Sequence, residues 1–309
     1  MLTSFFKKSK PVNYLIICCY FAFYFLIANF FIYENEISAG YLFKKIGYLF
    51  LFVLLILVLN FILKRNDIHK NNSFGVLLFV LFSVGFLPIL KSADAVLAVF
   101  FITLAFRRVF SLKSGKNIKI KIFDACLWVL IASLFFSYSY LYLIIPVMGV
   151  FYYANDNIKN LFIPLVAIFC FFVLVTTFSL LTSNEFFLFE GYFSAPSIDF
   201  KSYHALEIII PLSILLAILV WSFVSFYKET QEKIRKEKPL LYLLAVISVL
   251  GILMILLSPE KTGEELLFLC LPAGMITTFF FEKKGEKWLK ELLLLTLIVC
   301  NILIPILFW

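Results

Sequence analysis

Residues 12–36 read VNYLIICCYFAFYFLIANFFIYENE. About twenty residues pass without a charge before Glu34 and Glu36 appear. A secretory signal carries an apolar stretch of about 7–15 residues and then a small-residue cleavage site. This run is longer, and it ends in Tyr-Glu-Asn-Glu. At 1.5 Å per residue, about 20 apolar residues cross a hydrocarbon core of about 30 Å. The stretch therefore predicts a retained membrane helix, with the basic flank MLTSFFKKSKP ahead of it.

The same pattern recurs to the end of the chain. The sequence is 63% hydrophobic and only 15% charged, with a mean hydropathy of +1.03. A soluble domain is about half apolar and a quarter charged. Apolar runs bounded by charge fall at 12–33, 44–63, 74–90, 93–106, 122–137, 139–153, 161–182, 205–226, 240–257, 266–281 and 289–308. The expectation is an all-α polytopic transmembrane helix bundle of about 11 spans (10–12), forming a single transmembrane domain over 1–309. The runs 93–106, 122–137 and 139–153 are short for a perpendicular span, so they are tilted, re-entrant or extended by their neighbours.

Charge placement orients the bundle. With the N-terminus in the cytoplasm and alternating spans, cytoplasmic segments hold 22 of the 27 Lys and Arg residues; the other side keeps Lys44, Lys45, Lys91, Lys201 and Lys261. That asymmetry is the positive-inside pattern. It predicts a multi-pass protein of the bacterial inner membrane with a periplasmic C-terminus. The net charge of +8 then reads as topology and attraction to lipid headgroups, so the lipid bilayer is the expected partner and nucleic acid is not. Asp124 is expected to pair with the Arg107/Arg108 and Lys119/Lys121 cluster.

Chemistry-bearing patterns are few. The six cysteines all lie in apolar runs and form no CxxC, and there are two histidines, His69 and His204. No metal or cofactor is expected from such spacing, and the cysteines read as small buried hydrophobes. No phosphate loop, dinucleotide fingerprint, nucleophile elbow or HExxH occurs. Charges near a bilayer centre, the usual mark of a transport path, are missing as well. The stretch 182–204 is rich in aromatics and predicts a short interfacial helix.

Two acidic clusters remain. In an extended stretch, residues two apart point the same way, so Glu34 and Glu36 could aim both carboxylates at one place. One would take a proton from an acceptor hydroxyl while the other orients it or holds a divalent cation. The stretch SPEKTGEELLFLCLP (258–272), on the same side, could meet them across the bundle.

An acidic pair directly after the first helix resembles the C-type polytopic membrane glycosyltransferases. So do EKTGEELLFLCLPAGM (260–275) and the middle segments VFFITLAFRRVF (99–110) and KIFDACLWVLIASLFFSYSYLYLIIP (121–146). The resemblance implies a polyprenyl-phosphate-linked sugar as substrate, with Glu34 and Glu36 as the catalytic acid pair. Lys261, Glu264 and Glu265 would bind the phosphate. That family more often carries Asp in the first motif, and Arg where this chain has Lys261. The whole chain, from TSFFKKSKPVNY onward, more closely resembles a multi-pass inner-membrane family of unknown function from flavobacteria and other Bacteroidota, which implies location and topology alone. The leading functional expectation is a non-catalytic integral subunit or scaffold of a cell-envelope complex, with other inner-membrane subunits as partners. The alternatives are the transferase with its polyprenyl-linked lipid, and a lipid or small-molecule transporter.

Overall fold

The computed structural model describes residues 2–32, 38–155, 157–184, 186, 195–197, 199–283, 285 and 287–307, and every regular element among them is helical. A short α1 (Leu2–Phe6) precedes α2 (Pro11–Ile27). Pro11 opens α2 at a position where the missing N–H would have had no helical partner. The helix runs on as a wider turn over Ala28–Ile32. Ser38 caps α3 (Ala39–Arg65) by accepting the Tyr41 N–H at 3.2 Å. Then follow α4 (Phe74–Val84), α5 (Leu87–Lys91), α6 (Ala93–Phe110), α7 (Ile118–Phe135), α8 (Ile144–Tyr153), α9 (Ile163–Ser183), α10 (Leu206–Glu232), α11 (Lys238–Leu257), α12 (Leu267–Glu282) and α13 (Lys287–Leu307).

Among the described residues, eight helical stretches are long and apolar enough to cross a membrane: Pro11–Ile32, Ala39–Arg65, Ala93–Ser114, Ile158–Ser183, Leu206–Glu232, Lys238–Leu257, Glu264–Glu282 and Lys287–Ile306. The protein is a multi-pass helical membrane protein. Three of the eleven expected runs differ from these eight. The run at 74–90 is interrupted, because Phe86 is extended (φ −106°, ψ 102°) and Pro88 starts α5. The run at 139–153 divides into a 3-10 segment, Ser137–Leu143, and the ten-residue α8. Helix α7 is regular but carries Lys119, Lys121 and Asp124 in its first turns. Pro211, Pro272 and Pro305 lie inside helices, whereas Pro88 and Pro164 open theirs.

The chain gathers into two compact units: Met1–Val96 with Asp199–Lys238 and Lys261–Trp309, and Leu97–Ile198 with Pro239–Glu260. The first is built around α12. Leu267–Phe281 is buried throughout, as is every residue of α4, on which it packs, with α10 on another side. Lipid tails are as apolar as leucine, so close van der Waals contact has to hold such helices together. Gly274 supplies it: a Cβ there would stand 2.8 Å from the Phe79 backbone nitrogen. Phe52 of α3 stacks on Phe21 of α2 (3.6 Å between centroids) and on Phe79 of α4 (5.7 Å). Asn301 of α13 donates to the Leu81 carbonyl and to the Tyr20 hydroxyl, each at 3.0 Å.

In the second unit α7 packs on α9 and on the 3-10 segment. Phe101 stacks against Trp128 and Phe135, at 5.6 and 5.8 Å. Asp124 pairs with Arg108 at 2.9 Å, as its placement foretold. Only 17% of the apolar window in Ile158–Ser183 is buried, so the side chains of Phe169, Leu174, Phe178 and Leu181 face outward to lipid or to another protein. The cysteines depart from their expected burial. Cys126 and Cys270 are buried, Cys19 is exposed, and Cys18, Cys170 and Cys300 are half-buried. A thiol costs little against lipid, so burial is not required of it.

Candidate functional site

The expected substrate-binding residues Lys261, Glu264 and Glu265 come together in one tight turn of the first unit. Gly263 makes the turn possible. Its φ is +91°, and a Cβ there would meet Ile208 Cδ1 at 3.1 Å and Pro88 Cγ at 3.2 Å. A single 3-10 turn, Glu264–Leu266, then leads into α12. Facing it is a second 3-10 turn, Lys201–His204, which leads into α10. The two turns sit side by side because the helices they open are packed together.

Glu265 is fully buried. An unpaired carboxylate there would be costly, and the site answers with donors. The Tyr203 hydroxyl donates to Oε1. The Gly263 N–H donates to Oε2 at 3.0 Å, and the Thr262 hydroxyl reaches the same oxygen at 3.4 Å. Burial, and then the Glu265 carboxylate, push the Tyr203 hydroxyl well above its ordinary range, which keeps it a donor. Lys261 is buried too, with its Nζ 4.8 Å from the centre of the Phe200 ring. Burial lowers its ammonium below the usual lysine range and the Glu265 carboxylate draws it back up. Glu264 is half-buried.

Helix α5 is the neighbour on the other side. Its carbonyls accept from Asn29 at Leu90 (3.0 Å), from Tyr48 at Ile89, and from Lys45 at Lys91 (3.3 Å). Tyr41 donates to the Asn29 carbonyl at 3.0 Å. The residues before position 33 and after position 37 thus reach the same end of this unit as the 261–266 turn. Glu34 and Glu36 themselves lie outside the described residues, as do residues 185, 187–194 and 198 of the aromatic stretch. Tyr203 and Gly263 escape sequence reasoning. Tyr203 reads as one more interfacial aromatic, and nothing in spacing pairs it with an acid 62 residues later.

The chemistry available here is narrow. Glu265 is enclosed and both of its oxygens accept hydrogen bonds, so it joins two turns rather than presenting an open acid. Among the described residues no cluster of three or more His, Cys, Asp or Glu side chains could hold a metal ion. A family model described as "Family of unknown function (DUF6427)" matches residues 4–307. No curated protein and no solved structure matches the chain.

Proposed function

The chain belongs to this family of unknown function, and from its own geometry we propose that it is a non-catalytic integral subunit or scaffold of a cell-envelope complex. In this reading it resides in the bacterial inner membrane as a single transmembrane domain (1–309) of about eleven spans, with the N-terminus inside. The observation that carries it is Glu265. One of the acids expected to bind substrate is instead enclosed and bonded to Tyr203, Gly263 and Thr262. The outward apolar face of α9 is consistent with a neighbouring membrane protein. The test is purification of the full chain in several mild detergents, followed by mass spectrometry of what travels with it. A stoichiometric membrane partner is expected. A lone species in every detergent would overturn the proposal.

A second reading has one observation in its favour. The residues flanking Glu34 and Glu36 converge, through α5, on the end of the unit that holds Lys261 and Glu264. That convergence is what a C-type-like transferase acting on a polyprenyl-linked sugar would need. Lipid extracts from a deletion strain should then accumulate a polyprenyl-linked sugar that wild type clears and Glu34→Gln/Glu36→Gln does not. An unchanged lipid profile would dispose of this reading.

A further inference from the structure

At the opposite end of the first unit, three hollows follow one another. An apolar groove of about 580 Å³ runs along α10 and α12, lined by Leu216, Val220, Trp221, Val224 and Phe280 and reaching Ser225 and Lys283. Val220, Trp221 and Val224 are all more than half exposed. Ser225 and Lys283 also line a charged cleft of about 240 Å³ floored by Phe279, with Lys70, Lys228, Glu229, Glu232 and Glu282. Lys70 in turn lines a third hollow of about 300 Å³, with Lys64, Asp67, His69, Asn71 and Asn72.

The third hollow has an unmet requirement. The His69 side chain is only 4% exposed, and neither ring nitrogen has a hydrogen-bond partner. Nδ1 stands 3.8 Å from Glu282 Oε1, an oxygen that already accepts from Asn72 and from the Lys70 N–H at 2.7 Å. The ring rests on Phe279 at 4.5 Å between centroids. A buried ring nitrogen without a hydrogen bond costs stability unless water or a ligand completes it.

The order of the hollows, apolar then mixed charge then polar, has the form of a lipid. The charges of the middle cleft decide which kind. Among the described residues Lys70, Lys228 and Lys283 stand against Glu229, Glu232 and Glu282, so that lining is balanced. A purely anionic headgroup would meet as many carboxylates as ammoniums. A headgroup that carries both a phosphate and a primary ammonium satisfies both sets.

We propose that this track binds one zwitterionic phospholipid bearing a primary ammonium. An acyl chain lies along the α10–α12 groove, the phosphate meets Lys228 and Lys283, and the ammonium lies among Glu229, Glu232 and Glu282, on the side of the cleft toward His69. Several N–H donors on the ammonium suit this acceptor set; a quaternary ammonium has none to give.

The test uses the full chain, delipidated in detergent and titrated with phosphatidylethanolamine, phosphatidylglycerol, phosphatidylcholine or soluble phosphoethanolamine, with native mass spectrometry as readout. Phosphatidylethanolamine is expected to bind as a single adduct, and the other two lipids about tenfold more weakly or worse. Lys228→Gln/Lys283→Gln and Val224→Trp should each weaken it by on the order of tenfold. Glu229→Gln/Glu232→Gln should turn the preference toward phosphatidylglycerol. All of these side chains are exposed or half-buried, so the fold survives their replacement. Lys44→Gln/Lys45→Gln, at the far end, should change nothing. Equal retention of the three lipids, or an equal loss in every variant including the far-end pair, would overturn the proposal. Phosphoethanolamine binding as tightly as the lipid would identify a soluble ligand instead.

Discussion

Glu265 shows how a residue picked out by its charge can serve packing. The sequence marks it as one of a run of acids beside an apolar stretch, and in that much the site is legible. Its hydrogen-bonding partners are not, because Tyr203 belongs to a loop that spacing cannot align with the 261–266 turn. Replacing Glu265 with Ala strands the Tyr203 hydroxyl and the Gly263 N–H and removes the carboxylate whose charge favours the Lys261 ammonium. Removing one member of a buried charged group costs roughly 3–5 kcal/mol. The expected result is a clear fall in the melting temperature of the detergent-solubilised protein. Tyr203→Phe should cost less, and the double variant should fall short of the sum of the two, since the residues share one bond. Strict additivity would mean that the two turns are held by something else.

Among the elements, periodicity and length locate the eight long apolar helices well, because each of those eight runs continues as one helical stretch. They do less well where the chain bends within an apolar run. The segment 74–90 carries no charge at all, yet Phe86 and Pro88 divide it. The close approach of α4 and α12 depends on Gly274, whose importance is invisible until Phe79 is placed behind it. Gly274→Ala is therefore expected to push the helices apart, at roughly 1–3 kcal/mol, read as a lower unfolding midpoint. Gly47→Ala makes a suitable control, since a Cβ there meets nothing within 4 Å. The link from α13 to α4 through Asn301 is weaker in kind. Interhelical hydrogen bonds in membranes average about 0.6 kcal/mol, so Asn301→Leu should lower the midpoint only slightly. A large loss would show that the Leu81 carbonyl has no other way to be satisfied.

For the whole molecule, the distribution of Lys and Arg makes the proposed orientation testable. In a variant freed of its native cysteines, Lys44→Cys should react with an impermeant maleimide added to intact spheroplasts. Lys116→Cys should react only after permeabilisation. The opposite pattern would reverse the bundle. The division into two units was not legible in the sequence, because each unit is assembled from separate stretches of chain. Charge and hydropathy record where helices start and stop, and carry little information on which helices become neighbours. The position of α12 has a consequence in time. Helix α4 is wholly buried and rests on α12, but α12 is made roughly 190 residues later. At a synthesis rate of about 5–20 residues per second, α4 waits roughly 10–40 s for its main contact. A chain halted after α11 would leave α4 without that contact for good, so quality control acting on this protein meets its clearest signal of an unfinished product at the last two helices.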